Sequence, residues 1–457
     1  MISLAVLPVL AAQTGCAPGT SCVPLDPESG LERLIGMFGE AMAGGQLDEA
    51  ETLAKRIVEE SIGVDGRESI TTARALTLLA IVQHASEQFL PAVQNYRAAI
   101  ETIERLGNSL SPELVRPLQG LGETELALGE PERARETFER AVHISHVNSG
   151  PNNLSQVATL DAISESFRRE GNFRDALRTQ DVALHIQERT YGGDGEDMIA
   201  ALDRYAGWMH RLRLPNRERN THSRILDLKE RHYGTDDLSL VPTLIRLGTS
   251  IRDPGYALAE AGVGNDLGII VDEGLDDDYV GRAVKPDFFL RRALEIVDRH
   301  PDSDWRLASR AELEVGDYYS RVRRLVKARL AYTAAWERLS AEPERLAERN
   351  RELEVPRPLI GPFLPRWFEG DAPVFRTVDD TGFEPASVEL LYDVSRLGKT
   401  VNVRVMESSP GGMEKIEAFA VDALRQQINR PRMQDGEIVD TADLRYVYEF
   451  GVRPAAE

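Results

Sequence analysis

The stretches GEPERARETFERA (Gly129–Ala141) and GNFRDALRTQDVA (Gly171–Ala183) lie 42 positions apart and decide how this chain folds. Each opens on a short polar turn, and Ala134 and Ala141 of the first map onto Ala176 and Ala183 of the second. The same step runs outward. Ala50, Ala92, Ala134 and Ala176 are each 42 positions from the next, with Glu218 on the following rung, and twelve residues upstream Ala80, Gly122, Ser164, Ala206 and Gly248 form a second small-residue ladder. Two ladders in register mark an internal repeat. Four residues after each rung come Tyr96, Phe138 and Gln180, and seven after come Ala99, Ala141 and Ala183, offsets that fall on one helical face. Leu76, Leu118, Leu160 and Leu202 keep the step on the partner helix. Each repeat is therefore expected to be two antiparallel helices whose small residues meet where the backbones come closest.

A chain of 457 residues with 42% hydrophobic residues has room for two or three domains with real cores. Its formal net charge of −21 opposes binding to a phosphate backbone, because that affinity rests on Lys and Arg displacing counterions. Nucleic acid is not expected as a partner. Met1–Ala12 (MISLAVLPVLAA) is apolar and ends in small residues like the core of a secretory signal, which implies export and an envelope or periplasmic location. The two cysteines, Cys16 and Cys22, follow it and are candidates for a disulfide, while Thr14-Gly15-Cys16 also resembles a lipoprotein processing site with Cys16 lipidated. Two free thiols in a leader are the alternative.

The small residues at these relative positions, with an aromatic four after the second Ala, resemble the tetratricopeptide repeat family over residues 31 to 340. A step of 42, with the connectors Tyr191-Gly192-Gly193-Asp194 and Tyr233-Gly234-Thr235-Asp236 again 42 apart, is similar to the longer repeat of kinesin light chains. The resemblance implies an α-solenoid that binds protein or peptide partners in a groove lined by the first helix of each pair. Mapped repeat by repeat, the groove residues are Arg74, Thr77, Ile81 and His84; Arg116, Gln119, Glu123 and Leu126; Asp161, Glu165 and Arg168; Asp203, Gly207, His210 and Arg211. Against this stands the solvated face that any soluble solenoid needs. Phe38 takes the small position in the first repeat, as a terminal cap tolerates.

The period fails after Gly248. Residues 252–285 hold Pro254, several glycines and the run Asp276-Asp277-Asp278, and read as an irregular insertion. Helical pattern returns over Phe288–His300 and Trp305–Leu339, where Gly316, Ala328, Tyr332 and Ala335 restore the offsets of 12, 4 and 3. Proline at 356, 358, 362, 365 and 373 marks 346–372 as a linker. Beyond it the period changes to 2: Val388, Leu390, Tyr392 and Val394, then Val401, Val403 and Val405 after Gly398, predict a hairpin. Ile416 to Ile428 predicts a helix and Leu444–Phe450 a last strand.

This β-β-α-β order, with VNVRVMESSPGG, Asn429-Arg430-Pro431 and Gly436, resembles the C-terminal domain of TonB energy transducers over residues 373–453. The expected architecture is thus mainly α and multidomain: a leader (1–27), a tetratricopeptide α-solenoid (28–345), a linker (346–372) and a small α+β TonB-like domain (373–453). The resemblance implies that the edge strand Leu444, Arg445, Tyr446, Val447, Tyr448, Glu449 and Phe450 docks an extended segment of an outer-membrane protein; against this stand an edge that is merely solvated and one that pairs with a second copy as a homodimer. The long spacer and confident membrane anchor of a working transducer are absent from the pattern. A non-enzymatic envelope adaptor is accordingly the expected function, with an energy transducer or transport component as the alternative.

No catalytic signature appears. Leu397-Gly398-Lys399-Thr400 resembles the end of a phosphate loop, but Asp393 stands where that motif needs Gly and a strand follows, so a hairpin turn is expected. Gly262–Gly268 misses dinucleotide spacing by one residue. Glu139, His143 and His146 fall at helical spacing, for which a solvated face is preferred over a metal site. Asp272–Asp278 lacks the alternating ligands of a calcium loop. Neither a metal nor a cofactor is expected.

Overall fold

The computed structural model describes residues 30–107, 109–249, 286–362, 364–374 and 382–453. The leader with Cys16 and Cys22, and the 252–285 insertion with its glycine and acidic runs, lie outside the described residues. The chain forms two compact units, Met1–Gly193 and Asp194–Glu457.

In the first unit the described residues give four helix pairs: α1 (Gly30–Ala43) and α2 (Leu47–Asp65), α3 (Ile70–Ala85) and α4 (Phe89–Leu106), α5 (Val115–Ala127) and α6 (Pro131–Ser149), α7 (Val157–Arg169) and α8 (Phe173–Tyr191). The turn inside each pair is reversed by one left-handed residue, and these recur at the repeat step: Gly45, Glu87, Gly129 and Gly171, with φ of 70°, 60°, 80° and 77°. Glycine holds three of the four because only it enters this region without steric cost.

The ladders lie where the helices touch. Ala50, Ala92, Ala134 and Ala176 are all fully buried. A Cβ on Gly122 would stand 2.6 Å from the Phe138 ring, so the aromatic of α6 rests directly on the α5 backbone. The next repeat solves the same contact with polar groups. Gln180 donates to Ser164 Oγ at 2.9 Å and to Asp161 Oδ1 at 2.8 Å, while Ser164 Oγ donates to the Ala176 carbonyl at 3.2 Å. Phe38 is buried in the terminal pair against Leu34, Ala41, Leu53 and Ile57.

The second unit begins with α9 (Asp197–Arg211), α10 (Pro215–Tyr233) and α11 (Leu240–Thr249), and continues with α12 (Pro286–Arg299), α13 (Trp305–Arg321), α14 (Leu325–Ser340) and α15 (Leu346–Leu353). Arg213 and Arg323 are the left-handed turn residues here. A Cβ on Gly316 would stand 2.4 Å from the Tyr332 ring, which repeats the ring-on-glycine contact of the first unit.

A five-stranded sheet follows in the order β3-β2-β9-β4-β5, built from β2 (Trp367–Glu369), β3 (Ala372–Val374), β4 (Glu384–Val394), β5 (Thr400–Ser409) and β9 (Thr441–Arg453). The hairpin β4–β5 and the neighbour β9 are antiparallel to one another, and the helix α16 (Glu414–Arg425) buries Ile416, Ala420 and Leu424 in one core with Val388, Leu390, Tyr448 and Phe450. Two short ladders lie outside this sheet, β1 (Arg357–Ile360) with β6 (Ile428–Arg430) and β7 (Arg432–Gln434) with β8 (Glu437–Val439).

Two expectations need correction. The proline-rich 346–372 is not a bare linker: it supplies α15, β1 and β2, and β3 begins at its end. Proline is tolerated because β1 and β3 are edge strands, where a missing amide breaks no ladder. The last strand is longer than Leu444–Phe450, and it is not outermost throughout. An upstream segment, β2, pairs in parallel with its final residues Gly451, Val452 and Arg453.

The tail is fastened to the last helix pair. Arg430, on β6, puts Nη2 2.6 Å and Nε 2.8 Å from the two carboxylate oxygens of Asp317 on α13, and Nη1 3.0 Å from Glu352 of α15. Met433 of β7 enters the core formed by Tyr332, Ala335, Trp336 and Leu339.

Candidate functional site

The first helix of each pair presents one face outward, and the structure shows what the mapped groove residues do there. Three of them bond to the next repeat, and others bond within their own repeat. Arg74 on α3 forks onto Glu113, which precedes α5, at 2.9 and 2.5 Å, and His84 Nδ1 lies 2.9 Å from Thr124 Oγ1. Gln119 donates to Thr159 Oγ1 at 2.6 Å, and Asp161 accepts from Gln180. Glu165 takes two bonds from Arg168 and one from Arg169; burial would raise its carboxyl, but these two guanidiniums hold it below its usual range. Burial also lowers His84. Arg74, His84 and Gln119 thus act first as clasps from one repeat to the next, while Asp161, Glu165 and Arg168 are engaged within their own repeat.

Arg116 and Glu123 differ. Both are exposed on α5, and neither has an ion pair or hydrogen bond among the described residues. They stand seven residues apart on one face, about 10 Å along the axis, with Gly120 between them. A Cβ on Gly120 would stand 2.3 Å from the Tyr96 ring, so this ring fills the dip that the glycine leaves. Although exposed, Glu123 is pushed toward neutrality and Arg116 is lowered, each chiefly because surrounding protein displaces water. Tyr96 is raised by its burial first and then by the Glu123 charge.

The remaining groove residues belong to the second unit. Burial raises Asp203 against the pull of Lys229, and the Arg211 guanidinium stacks 3.6 Å from the centre of the Trp208 ring. His210 Nδ1 lies 3.2 Å from Glu218 Oε2. Glu218 occupies the ladder position that is Ala in the first unit, and it is buried beside His222, 3.9 Å from that ring's Nε2.

Sequence reasoning missed two hollows on the side of the second helices. Arg97, Ile100, Glu101, Glu104, Leu118, Leu121, Glu136, Thr137 and Arg140 surround a hollow of about 450 Å³ between α4 and α6. The residues 42 positions later, Glu139, Val142, His143, His146, Leu160, Ile163, Arg178, Thr179 and Val182, surround one of about 540 Å³ between α6 and α8. Ion pairs from Arg140 to Glu104 and from Arg97 to Glu125 span the first hollow. In the second, Val182 and His146 replace the Arg140–Glu104 pair, and Phe167 replaces Glu125. Among the described residues no ion pair joins its lining residues across it, and Val182 is left 52% exposed over an apolar floor. The signal was present at the repeat step, as the substitution of an ion pair by Val and His. Glu139, His143 and His146, weighed for a metal, are exposed rim residues of this hollow.

In the tail, Arg445, Val447 and Glu449 are exposed, Tyr448 and Phe450 are buried under α16, and Leu444 and Tyr446 are half-buried. Gly398 adopts φ of 70° in the β4–β5 turn, with Lys399 and Thr400 entering β5. No helix among the described residues is long and apolar enough to cross a membrane.

No family model matches the chain, and no curated protein matches it. Solved structures do resemble it, and they are tetratricopeptide-like repeat proteins. A putative kinesin light chain with nearly identical TPR-like repeats from Podosopora anserina is 16% identical, with a TM-score of 0.40 over 44% of this chain and 96% of that one. BtubC (BKLC) from P. vanneervenii is 19% identical, with a TM-score of 0.38 over 56% and 93% of the two chains. The apo form of RapI is 12% identical, with a TM-score of 0.38 over 70% and 99%.

Proposed function

We propose that the chain is a non-enzymatic protein-binding scaffold of the bacterial cell envelope, whose helix pairs hold an extended partner segment and whose tail touches a second protein. The observation that carries the reading is the pair Arg116 and Glu123. Around them in the first unit the groove charges are engaged, Arg74 with the next repeat and Asp161, Glu165 and Arg168 within their own, whereas these two have no ion pair or hydrogen bond among the described residues and lie partly desolvated above Tyr96. A partner that supplies an opposite charge to each releases little water and breaks no existing bond, so the gain per contact exceeds that of an ordinary surface pair.

The apolar hollow between α6 and α8 favours a second docking point, one that takes a bulky apolar side chain of a protein partner. In the tail the exposed edge of β9 takes an extended strand. Envelope placement rests on Met1–Ala12, whose apolar run and small-residue end fit an export signal.

Proximity labelling in the native host tests the groove. The full chain and an Arg116→Glu/Glu123→Arg double variant are compared at equal expression. The same partners should be lost from the variant, and an unchanged partner set overturns the groove reading. Fractionation tests location, since an intact Met1 in a cytosolic fraction sinks the envelope assignment.

A further inference from the structure

The open part of the β9 edge has a definable sequence, and that sequence is complementary to itself. The Gly451 N–H donates to the Arg366 carbonyl at 3.0 Å, and the Arg453 carbonyl accepts from Gly370 at 2.7 Å, so residues 451 and 453 turn their main-chain groups toward β2. Alternate residues of a strand present these groups to the same side. The β4–β9 register is unbroken from Val452 back to Leu444. It follows that Arg445, Val447 and Glu449 point their N–H and C=O away from β4, toward a side where no strand lies among the described residues. The window is bounded at both ends. β2 occupies the edge from Gly451 onward, and at Asp443 the backbone turns left-handed, with φ of 58°, and its amide is taken inward by Asp393.

Within this window the side chains of Arg445, Val447 and Glu449 are all exposed, on the face opposite α16. Val447 is 54% exposed, and Glu449 has no ion pair or hydrogen bond among the described residues. Arg445 reaches Glu389 at 3.1 Å on one side only, from a largely exposed position.

We propose that this edge pairs antiparallel with the same edge of a second copy of the chain, about a two-fold axis through Val447. The proposal rests on the edge-docking reading of the tail and names its occupant. In that register Val447 faces Val447 of the second copy, and Arg445 faces Glu449 on each side of the axis. The three outward-facing residues of each copy exchange about six main-chain hydrogen bonds. The unpaired carboxylate gains a guanidinium, the exposed valines cover one another, and the five-residue window is used to both its limits. Isologous pairing of this kind closes after two copies and leaves no growing edge.

Sedimentation equilibrium of the full chain, up to several hundred micromolar, tests the pairing with two charge variants. Arg445→Glu places Glu against Glu twice by symmetry, and Glu449→Arg places Arg against Arg twice. Each should weaken self-association about tenfold, from two lost cross-strand pairs and the repulsion that replaces them. A one-to-one mixture of the two variants restores both pairs and should associate as the wild type does, which a merely misfolded variant would not. Singles that associate like the wild type, or a mixture that fails to recover, overturn the proposal, as does a wild type that stays monomeric. Hydrogen exchange at the Arg445, Val447 and Glu449 amides separates the two readings. Protection that rises with concentration supports self-pairing; free exchange at every concentration sinks self-pairing and leaves the edge open for another partner; protection independent of concentration shows the edge already covered and sinks both.

Discussion

Removing the Arg430 side chain should unfasten the tail from the last helix pair, and the size of the effect follows from what the arginine leaves behind. The side chains of Arg430 and Asp317 are 3% and 7% exposed, and a fork of two bonds joins them. Burial works against the Arg430 charge, but Asp317 and Glu352 hold it firmly protonated. In Arg430→Ala, Asp317 keeps the Tyr332 hydroxyl at 2.9 Å but loses its cationic partner in a dry site. Breaking a buried pair from one side costs about 3–5 kcal/mol. Arg430→Met with Asp317→Asn removes both charges and should cost about 2 kcal/mol less than the single change, because no buried charge is left over. The readout is native-state hydrogen exchange over residues 428–439 in the full chain, with urea unfolding as the global measure. Arg430→Ala should raise exchange in β6, β7 and β8 before it shifts the first unit. If exchange there is unchanged, or the double change is as damaging as the single one, the fork does not fasten the tail and the reasoning fails.

Three further outcomes follow from named contacts. Gly122→Val should cost about 1–3 kcal/mol, because its Cβ meets the Phe138 ring and no neighbour can retreat from a close-packed interface; an unchanged thermal melt would remove the ladder argument. Gly398→Ala should destabilise the tail by about 1–3 kcal/mol, since the residue needs φ of 70° and an added Cβ would stand 2.2 Å from the Asn429 carbonyl oxygen; a tail that unfolds in urea as the wild type does refutes it. His222 is held near 4 by burial first and then by Arg246, Lys229 and His210, and its Nδ1 has no hydrogen-bond partner among the described residues. The unfolded chain therefore takes up the proton first, near 6.5, so stability should fall as pH drops from about 6.5 toward 4, by an amount on the order of 3 kcal/mol, and His222→Gln should flatten that slope in urea unfolding run at each pH.

The repeat was legible because its constraint is local and recurrent. A helix pair that packs at fixed spacing needs a small residue at the same two places in each copy, and Ala134 over Gly122 needs no knowledge of anything else in the chain. Roles within the groove were less legible for the opposite reason. Arg74, Gln119 and Glu165 look like Arg116 and Glu123 in a sequence, and only the positions of Glu113, Thr159 and Arg168 show that the first three are already engaged. The hairpin and its helix followed from periods of two and 3.6, but β2 could not, since three residues carry no period and its partner Gly451–Arg453 lies more than eighty positions away. That distant pairing is also what turns the β9 edge from an open strand into a window bounded at both ends. Periodicity reports which residues share a face; which of them remain available to a partner is decided by contacts distant in sequence, and among the described residues those contacts at α5 and β9 leave open Arg116, Glu123 and the outward main-chain groups of Arg445, Val447 and Glu449.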